Sequence, residues 1–412
     1  MHRTMLKVLP ATLILALASA SALAADEEGF HGYLRAGAGS SSVKGPQSCY
    51  GLGGNTMKYR LGNECDAYTE FGYTKELAKT DNGVSFLGTI WVNAFSPKSD
   101  FGDSKLSIAK AYVEARGLDF LNGGSAWIGK RYYFRPDIHM LDLQYINLNG
   151  TGAGIDQVKA GPGKVSYAFF KDNDITNTSA SGVVTTSAAT RQNLIYQDVP
   201  VNTDGTFDAA LSLITSQGGA DTHNGWQLSM FHKQAKVYGG ANTAGVQYGV
   251  GPGTGVGGDR IGASGSTLLG SDVTRARVFD NLWIQPAENF GMEFIALHQR
   301  DKSDIGGSTS WTSIGARPVY ALSKNVKLAL EVGTDRVTQP NGPALRLTKI
   351  TFAPSISAGP GLWARPELRA FVTYGKWNDA ARDAVNANNN SGPVYGSSTN
   401  GTSYGFQVET WF

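Results

Sequence analysis

Hydrophobic and polar residues alternate along the chain with a period of two, and the pattern is clearest in the last ten residues. One face of this segment is mostly apolar and carries Tyr404, Phe406, Val408, Thr410 and Phe412. The other face is polar or small apart from one tryptophan, and carries Ser403, Gly405, Gln407, Glu409 and Trp411. Such alternation predicts a β-strand with two different environments on its faces. Strands of membrane β-barrels have this pattern because their side chains face lipid and lumen in turn.

The same alternation recurs in five more segments. Small or apolar residues take one face of residues 30–38, which places Tyr33 and Arg35 on the lumen side. In residues 66–73 the alternation places Tyr68 and Glu70 on the lumen side. The three remaining segments have predicted outer faces made by Phe86, Gly88, Ile90, Val92 and Ala94, by Val326, Leu328, Leu330 and Val332, and by Leu368, Ala370, Val372 and Tyr374.

Strands are predicted near both ends of the chain, so the first strand can pair with the last. Closure removes the exposed strand edges that a lipid core does not tolerate. At about 20 residues per strand and turn, there is room for roughly sixteen to twenty strands, the size of a pore-forming barrel. We therefore predict a single all-β domain, a transmembrane antiparallel β-barrel over residues 25–412. Segments without alternation are predicted to be long external loops, at 176–191, 249–271 and 386–401.

The first 24 residues have the features of a secretory signal peptide. Arg3 and Lys7 make a basic start, an apolar stretch follows over residues 8–20, and Ala22 and Ala24 flank Leu23 in a small-x-small cleavage pattern. The apolar stretch is shorter than the roughly 20 residues of a membrane-spanning helix. We predict cleavage after residue 24 and export across the inner membrane.

Composition supports a sheet protein with many turns. The chain has 52 Gly, 17 Tyr, 18 Phe and 8 Trp, and only 17% charged residues. The predicted signal contains two of the 36 basic residues and none of the 34 acidic ones, so the exported chain is formally neutral. A neutral chain without a basic patch does not indicate a nucleic-acid partner.

Two cysteines, Cys49 and Cys65, occur in a chain destined for an oxidising compartment. We expect a disulfide between them, which would stabilise the fold by roughly 3 kcal/mol in the chain-entropy model. No spacing of further ligands indicates a zinc site, and no cofactor or metal is expected. The sequence has neither a Gly-x-Ser-x-Gly elbow nor a His-Glu-x-x-His pair, so an enzyme is not expected.

A cluster of polar residues follows a predicted strand within residues 127–156. Arg135, Asp137, His139 and Asp142 occur within eight residues. Charges in lipid cost several kcal/mol, so these side chains cannot face the bilayer. Two placements remain open at this point, a solvated external loop or a loop folded into the lumen.

Several stretches of the chain resemble the maltoporins, the trimeric sugar porins of Gram-negative outer membranes. They are F-H-G-Y-L-R at 30–35, K-Y-R-L-G-N-E-C at 58–65, G-K-R-Y-Y-F-R-P-D-I-H-M-L-D at 129–142, G-A-R-P-V-Y at 315–320, W-A-R-P-E-L-R-A-F-V-T-Y-G-K-W at 363–377 and the final W-F. The resemblance implies an eighteen-stranded barrel, an inward-folded third loop that constricts the pore, a disulfide between Cys49 and Cys65, a homotrimer and an outer-membrane location. It also implies that a periplasmic sugar-binding protein receives the solute.

The resemblance further implies a pore lining of two kinds. An aromatic slide corresponds to Tyr33, Tyr68, Trp311 and Trp411, of which our alternation independently places three on the lumen side. A polar track corresponds to Arg35, Arg60, Glu70, Arg135, Asp137, His139 and Asp142. The apolar face of a pyranose packs on aromatic rings, and its hydroxyls suit arginine donors and carboxylate acceptors. We therefore expect facilitated diffusion of oligosaccharides such as maltodextrins.

Gln144 departs from the family pattern, because maltoporins have a bulky aromatic at this point of the constriction. A smaller polar residue predicts a wider throat or a different sugar, and sucrose-type relatives also lack that aromatic. The main alternative is a general diffusion porin that passes ions and small solutes without a sugar site. Surface adhesion or phage attachment through residues 249–271 and a barrel enzyme are further alternatives.

Overall fold

The computed structural model describes residues 26–53, 58–179, 182–219, 221–257, 260–387 and 394–412. The predicted signal peptide, residues 1–24, lies outside the described residues and stays a prediction. Within the described ranges, no helix is long and apolar enough to cross a membrane. The only α-helix in the described ranges is a short one, α1 (Arg382–Ala387).

Eighteen antiparallel strands form one closed sheet, which confirms the predicted barrel and its strand number. β1 pairs with β2 on one side and with β20 on the other, so the first and last strands close the wall. β6 and β7 pair only with each other, in a small hairpin outside the wall. The strands are β1 (Gly29–Ser41), β2 (Ala67–Lys79), β3 (Ser85–Ser96), β4 (Lys105–Leu118), β5 (Gly124–Arg131), β6 (Asp137–Ile138), β7 (Leu143–Gln144), β8 (Gly150–Ala160), β9 (Gly163–Thr178), β10 (Val184–Asn202), β11 (Gly205–Gln217), β12 (Gly225–Val237), β13 (Gly240–Val250), β14 (Thr274–Ala287), β15 (Phe290–Ser303), β16 (Gly307–Ala321), β17 (Val326–Thr338), β18 (Leu345–Ser357), β19 (Glu367–Trp377) and β20 (Asn400–Trp411).

The predicted alternation is confirmed across the wall. Phe406 in β20 and Phe412 directly after it are exposed on the outside of the barrel, like Phe71 in β2. In β17, Lys327 and Glu331 are only 1% exposed and lie on the inside. An outer surface made of aromatic and aliphatic side chains is what a bilayer requires of a barrel.

Connections at the two ends of the barrel differ in length. At one end the longest are residues 42–66, 132–149, 251–273 and 378–399, and at the other most have two to five residues. We call these the long-loop end and the short-turn end. One longer connection at the short-turn end, residues 358–366, buries Leu362 in an apolar cluster with Leu61 and Phe371.

The prediction of a loop at 176–191 is wrong. β9 continues to Thr178 and β10 begins at Val184, so most of the segment is a tall hairpin. Its inward side chains include Asn177 and Ser187, which hydrogen-bond to Thr267 of a long loop. The Ser187 hydroxyl, for example, lies 2.7 Å from that of Thr267. Residues 249–271 do form mostly loop, whereas 386–401 includes the end of α1, the start of β20 and positions 388–393 outside the described residues.

Residues 132–149 fold into the barrel, which confirms the inward constriction loop. Apolar side chains of this loop, among them Ile138, Met140 and Leu141, are completely buried in one cluster with Phe231 and Phe279 of the wall. Burying them against the wall stabilises the loop by removing apolar area from water. The hairpin β6–β7 lies at the tip of this loop, and we call residues 132–149 the constriction loop.

The first loop comprises residues 42–66, and its described parts, 42–53 and 58–66, also fold inward, which the sequence did not predict. Tyr59 is 1% exposed and its hydroxyl lies 2.8 Å from that of Ser313. Its ring lies against Gly315 and Gly333, which face each other across β16 and β17. A Cβ added at Gly333 would come within 2.4 Å of the ring, so glycine is needed for this close approach. The predicted disulfide between Cys49 and Cys65 is confirmed and links two points of the first loop.

Candidate functional site

A cavity of about 750 Å³ lies between the first loop, the constriction loop and the wall strands β1, β2 and β20. Eleven of the twelve residues expected to line a pore surround it, and Trp311 does not. The eleven are Tyr33, Tyr68 and Trp411 with Arg35, Arg60, Glu70, Arg135, Asp137, His139, Asp142 and Gln144. The lining combines aromatic rings with cations, carboxylates and amides.

The constriction loop presents its polar side chains to this cavity because its apolar ones face the wall. Asp137 pairs with Gln144 in the small hairpin, so both lie at the same level. Asp142 has φ 54°, a left-handed conformation that ends the turn His139–Leu141 and reverses the chain. The Gln144 side-chain oxygen accepts a hydrogen bond from Asn147 Nδ2 at 2.6 Å.

Charges of the first loop are paired beside the cavity. Arg35 Nη1 lies 2.7 Å from Glu64 Oε1, and Arg60 Nε lies 3.1 Å from the same oxygen. Lys58 reaches the constriction loop, where its Nζ lies 2.8 Å from Asp142 Oδ2. Buried charges are tolerated when they are paired and hydrogen-bonded. These pairs therefore tie the two inward loops to each other and to β1.

Glu409 of the last strand is fully buried at the centre of an arginine cluster. Its carboxylate lies 3.1 Å from Arg60, 3.0 Å from Arg365 and 2.8 Å from Arg369. The Tyr33 hydroxyl donates to Glu409 Oε1 at 3.0 Å, and Arg60 Nη2 donates to the Tyr33 hydroxyl at 2.6 Å. The network fixes the ring of Tyr33 at the cavity wall.

Glu70 organises a second group on the same wall. Its Oε2 accepts hydrogen bonds from the hydroxyls of Tyr68 and Tyr132, each at 2.8 Å. Arg135 Nη2 lies 3.7 Å from Glu70 Oε1, and the guanidinium stacks 3.5 Å above the Tyr132 ring. This arrangement holds the Arg135 guanidinium in a fixed position beside the cavity. Its N–H groups can donate hydrogen bonds to hydroxyl groups there.

Aromatic rings lie in a row that starts at the cavity, where Tyr33, Tyr68 and Trp411 line it, and continues towards the short-turn end. The rings of Tyr33 and Tyr68 are 6.0 Å apart. Trp411 follows, with the guanidinium of Arg365 4.5 Å from its ring. Towards the short-turn end, Trp363 lies 5.2 Å from the His139 ring and 6.1 Å from the ring of Trp283. Rings at these separations are in contact and offer successive apolar faces.

Trp311 lies apart from these rings. It is 4% exposed in the large buried cluster, and its indole nitrogen donates to Asp335 Oδ1 at 3.0 Å. Its position in β16 faces inward as expected, but its ring is buried in the apolar cluster that also contains loop residues such as Tyr59 and Leu141. A ring buried in this way supports the packing of loops against the wall.

His139 is a neutral donor and acceptor inside the lumen. Burial, together with the neighbouring Arg60, lowers the pKa of His139 to about 3. Arg317 Nη1 lies 3.1 Å from His139 Nδ1, and because a guanidinium only donates, Nδ1 accepts. Nε2 therefore carries the proton and faces Glu409 Oε1 at 3.3 Å. Burial by itself would raise the pKa of Asp142, but Arg60 and Lys58 hold it below its usual range.

Sequence reasoning missed several residues that complete the site. Trp363 and Glu64 lie in two of the stretches that resemble maltoporins, 363–377 and 58–65. The resemblance could therefore have identified both residues. The alternation placed Glu409 on the inner face but did not predict its ion pairs with Arg60, Arg365 and Arg369. Among the described residues, no group of three or more His, Cys, Asp or Glu side chains could hold a metal ion.

Comparisons with known proteins agree with this architecture. OccAB2 of Acinetobacter baumannii has a TM-score of 0.50 at 11% identity over 93% of this chain and 98% of its own. OccAB4 of the same organism has a TM-score of 0.50 at 9% identity over the same shares. An anion-selective porin from Comamonas acidovorans has a TM-score of 0.45 at 12% identity, over 94% of this chain and 100% of its own. At these identities the likeness to the two Acinetobacter proteins concerns the fold alone.

The model of one protein family, described as LamB porin, matches residues 29–412. The match includes all eighteen wall strands, both inward loops and every residue around the cavity. It indicates a channel and places the protein in the outer membrane of a Gram-negative bacterium. The chain belongs to the LamB porin family.

Proposed function

We propose that the protein is a sugar-selective porin that lets oligosaccharides diffuse down their gradient across the outer membrane. The observation that carries the proposal is the joint lining of one cavity by the rings of Tyr33, Tyr68 and Trp411 and by the polar track. An apolar pore lining would not bind hydroxyls, and a purely charged one would not bind the C–H face of a pyranose. A lining of both kinds matches both surfaces of a sugar.

Transport by such a lining depends on weak and repeated binding. Stacking on one ring contributes about 1 kcal/mol, so a sugar can leave one ring for the next. Hydroxyls exchange hydrogen bonds with guanidinium donors such as Arg60 and Arg135 and with carboxylate acceptors such as Asp142. Trp363 extends the row of rings towards the short-turn end and belongs to the proposed slide, whereas the contacts of Trp311 support a packing role.

The proposal includes a homotrimer and a periplasmic sugar-binding protein that receives the sugar. Support for the trimer comes from the outer face of β1, where Ala36 and Ala38 line a shallow hollow with Phe406 and Val408. Small outward residues let a neighbouring copy approach the wall closely. The periplasmic partner rests on the resemblance to maltoporins.

Single-channel conductance in a planar bilayer tests the proposal. The refolded protein is titrated with maltotriose and then with sucrose while the ion current is recorded. We expect saturable block of the current, with the stronger blocker indicating the sugar class. A current that neither sugar changes at millimolar concentration would contradict a sugar site in the pore.

A general diffusion porin is the second candidate, and Gln144 is the observation that favours it. Its side chain is small and hydrogen-bonded to Asn147, so it narrows the cavity less than an aromatic ring would. A porin of this kind would show ion conductance without block by maltotriose or sucrose. The same titration therefore separates the two candidates.

A further inference from the structure

The outer surface of β4, β5, β8 and β9 has an apolar hollow of about 600 Å³. Three alanines form its floor, Ala115, Ala126 and Ala153. Bulkier side chains surround them, namely Phe86, Val113, Ile128, Ile155, Tyr167 and Phe169. Ile128 is 72% exposed and Phe169 42% exposed, so the hollow opens towards the lipid. Since alanine leaves more room than its neighbours, the barrel surface is indented at the level of acyl chains.

Two lysines stand directly above this hollow, towards the long-loop end. Lys130 follows Ile128 on the outer face of β5, and Lys171 follows Phe169 on the outer face of β9. Thr151 of β8 lies between them and pairs with Lys130. Because one strand separates the lysines, their backbones are about 10 Å apart, and their long flexible side chains can reach a common anion.

The lysines belong to a polar cavity of about 780 Å³ at the rim of the barrel. Its lining includes three cations, Lys130, Lys171 and Arg191, and two carboxylates, Asp172 and Asp174. Asp172 accepts a hydrogen bond from the Ser264 hydroxyl, and Lys171 contacts the Gln217 side-chain oxygen. Among the described residues Lys130 has no ion-pair partner. Hydroxyl and amide groups complete the lining, with Asn149, Asn173, Thr151 and Thr176.

We propose that the hollow and the polar cavity together bind one molecule of lipid A, the phosphorylated and acylated disaccharide of the outer leaflet. An acyl chain fills the hollow, a phosphate binds Lys130 and Lys171, and the sugar lies against the hydroxyl and amide groups of the cavity. The long loops of an outer-membrane barrel face the outside, so this rim lies at the level of outer-leaflet headgroups. Basic side chains at that level attract anionic headgroups.

Lipid A fits these observations better than two other occupants. A glycerophospholipid has a phosphate but no sugar to occupy the polar cavity. A second copy of this chain would cover the apolar hollow but would not require the two cations above it, Lys130 and Lys171. A site with a cationic rim above an apolar floor matches an anionic amphiphile.

Binding can be measured on the delipidated full-length protein in mild detergent, by native mass spectrometry after addition of purified lipid A. The variants are Lys130→Gln/Lys171→Gln, which removes the cations, and Ala153→Phe, which fills the floor of the hollow. The matched control is Lys376→Gln, because Lys376 is exposed on the outer face at the long-loop end of β19. Migration of unheated samples in electrophoresis confirms that each variant forms a folded barrel.

We expect the double lysine variant and Ala153→Phe to retain at least five-fold less lipid A than wild type, with Lys376→Gln unchanged. Dephosphorylated lipid A and phosphatidylglycerol should bind wild type more weakly than lipid A. Equal retention of lipid A by the double variant and the control would overturn the proposal. So would equal binding of phosphatidylglycerol, or an Ala153→Phe variant that changes oligomeric state while retaining lipid A.

Discussion

Tyr33 and Trp411 are register partners across the seam that closes the barrel, one in the first strand and one in the last. Both side chains face the lumen and line the same cavity. Barrel closure therefore also assembles the central pair of the proposed aromatic slide. An error in closure would separate these two rings, so folding and the proposed sugar binding depend on the same strand pairing.

Replacing Trp411 with Ala should weaken block by maltotriose several-fold and leave ion conductance near normal. The loss of one stacking contact costs about 1 kcal/mol, which corresponds to such a change in affinity. Current block in a planar bilayer measures it. Trp311→Ala is the control, and it should lower the unfolding temperature without changing sugar affinity because that ring is buried. Equal sugar affinity in Trp411→Ala and wild type would remove Trp411 from the slide.

Trp363→Ala should also weaken sugar block several-fold. Its ring lies between those of His139 and Trp283 and continues the row from Trp411. The matched control is Trp226→Ala, since Trp226 is 38% exposed on the outside of the barrel, where it contacts Tyr248. If the two variants bind maltotriose equally well, Trp363 has no part in the sugar path.

Glu409→Gln should destabilise the barrel and shift ion selectivity towards anions. The carboxylate lies within 3.1 Å of Arg60, Arg365 and Arg369, and its neutralisation leaves the guanidinium charges undercompensated. Removing one partner of a buried ion cluster typically costs about 3 kcal/mol. The reversal potential in a salt gradient and the unfolding temperature are the measurements. Glu288→Gln, at an exposed turn, should change neither, and an unaltered reversal potential in Glu409→Gln would contradict this account.

Acidification should destabilise wild type more than a His139→Gln variant. Burial lowers the pKa of His139 to about 3, so the unfolded chain binds the proton more readily than the folded barrel. The stabilising contribution is complete above the unfolded pKa near 6.5 and is lost as the pH falls towards 3. At pH 4.5 the difference is on the order of 2 kcal/mol. Unfolding temperatures at pH 7.5 and pH 4.5 measure it, and identical pH dependence in both proteins would rule out a neutral His139.

Gln144→Tyr should reduce single-channel conductance, because an aromatic ring at the tip of the constriction loop occupies part of the cavity. Affinity for maltotriose should rise with the added ring. Gln144→Asn is the control that retains an amide and should conduct like wild type. Unchanged conductance in Gln144→Tyr would show that the narrowest point of the pore lies elsewhere.

Much of the fold could be predicted from the sequence because the bilayer imposes a local rule. Every wall strand must alternate, so residues such as Tyr33, Glu70 and Glu409 could be placed on the lumen side one strand at a time. The rule fails outside the lipid, where side chains of both faces contact protein or water. The tall hairpin of β9 and β10 was therefore mistaken for a loop.

The sequence by itself determined the closed barrel, the pairing of Cys49 with Cys65 and half of the cavity lining, because these depend on local periodicity and on stretches that resemble a family. Only the tertiary structure decided where two tryptophans of the barrel interior pack. Trp311 and Trp363 are both tryptophans in or near inward segments, but Trp311 is buried in the large apolar cluster while Trp363 lies beside His139 and Trp283. Contacts between loops and the far wall join residues hundreds of positions apart, and no local pattern encodes them.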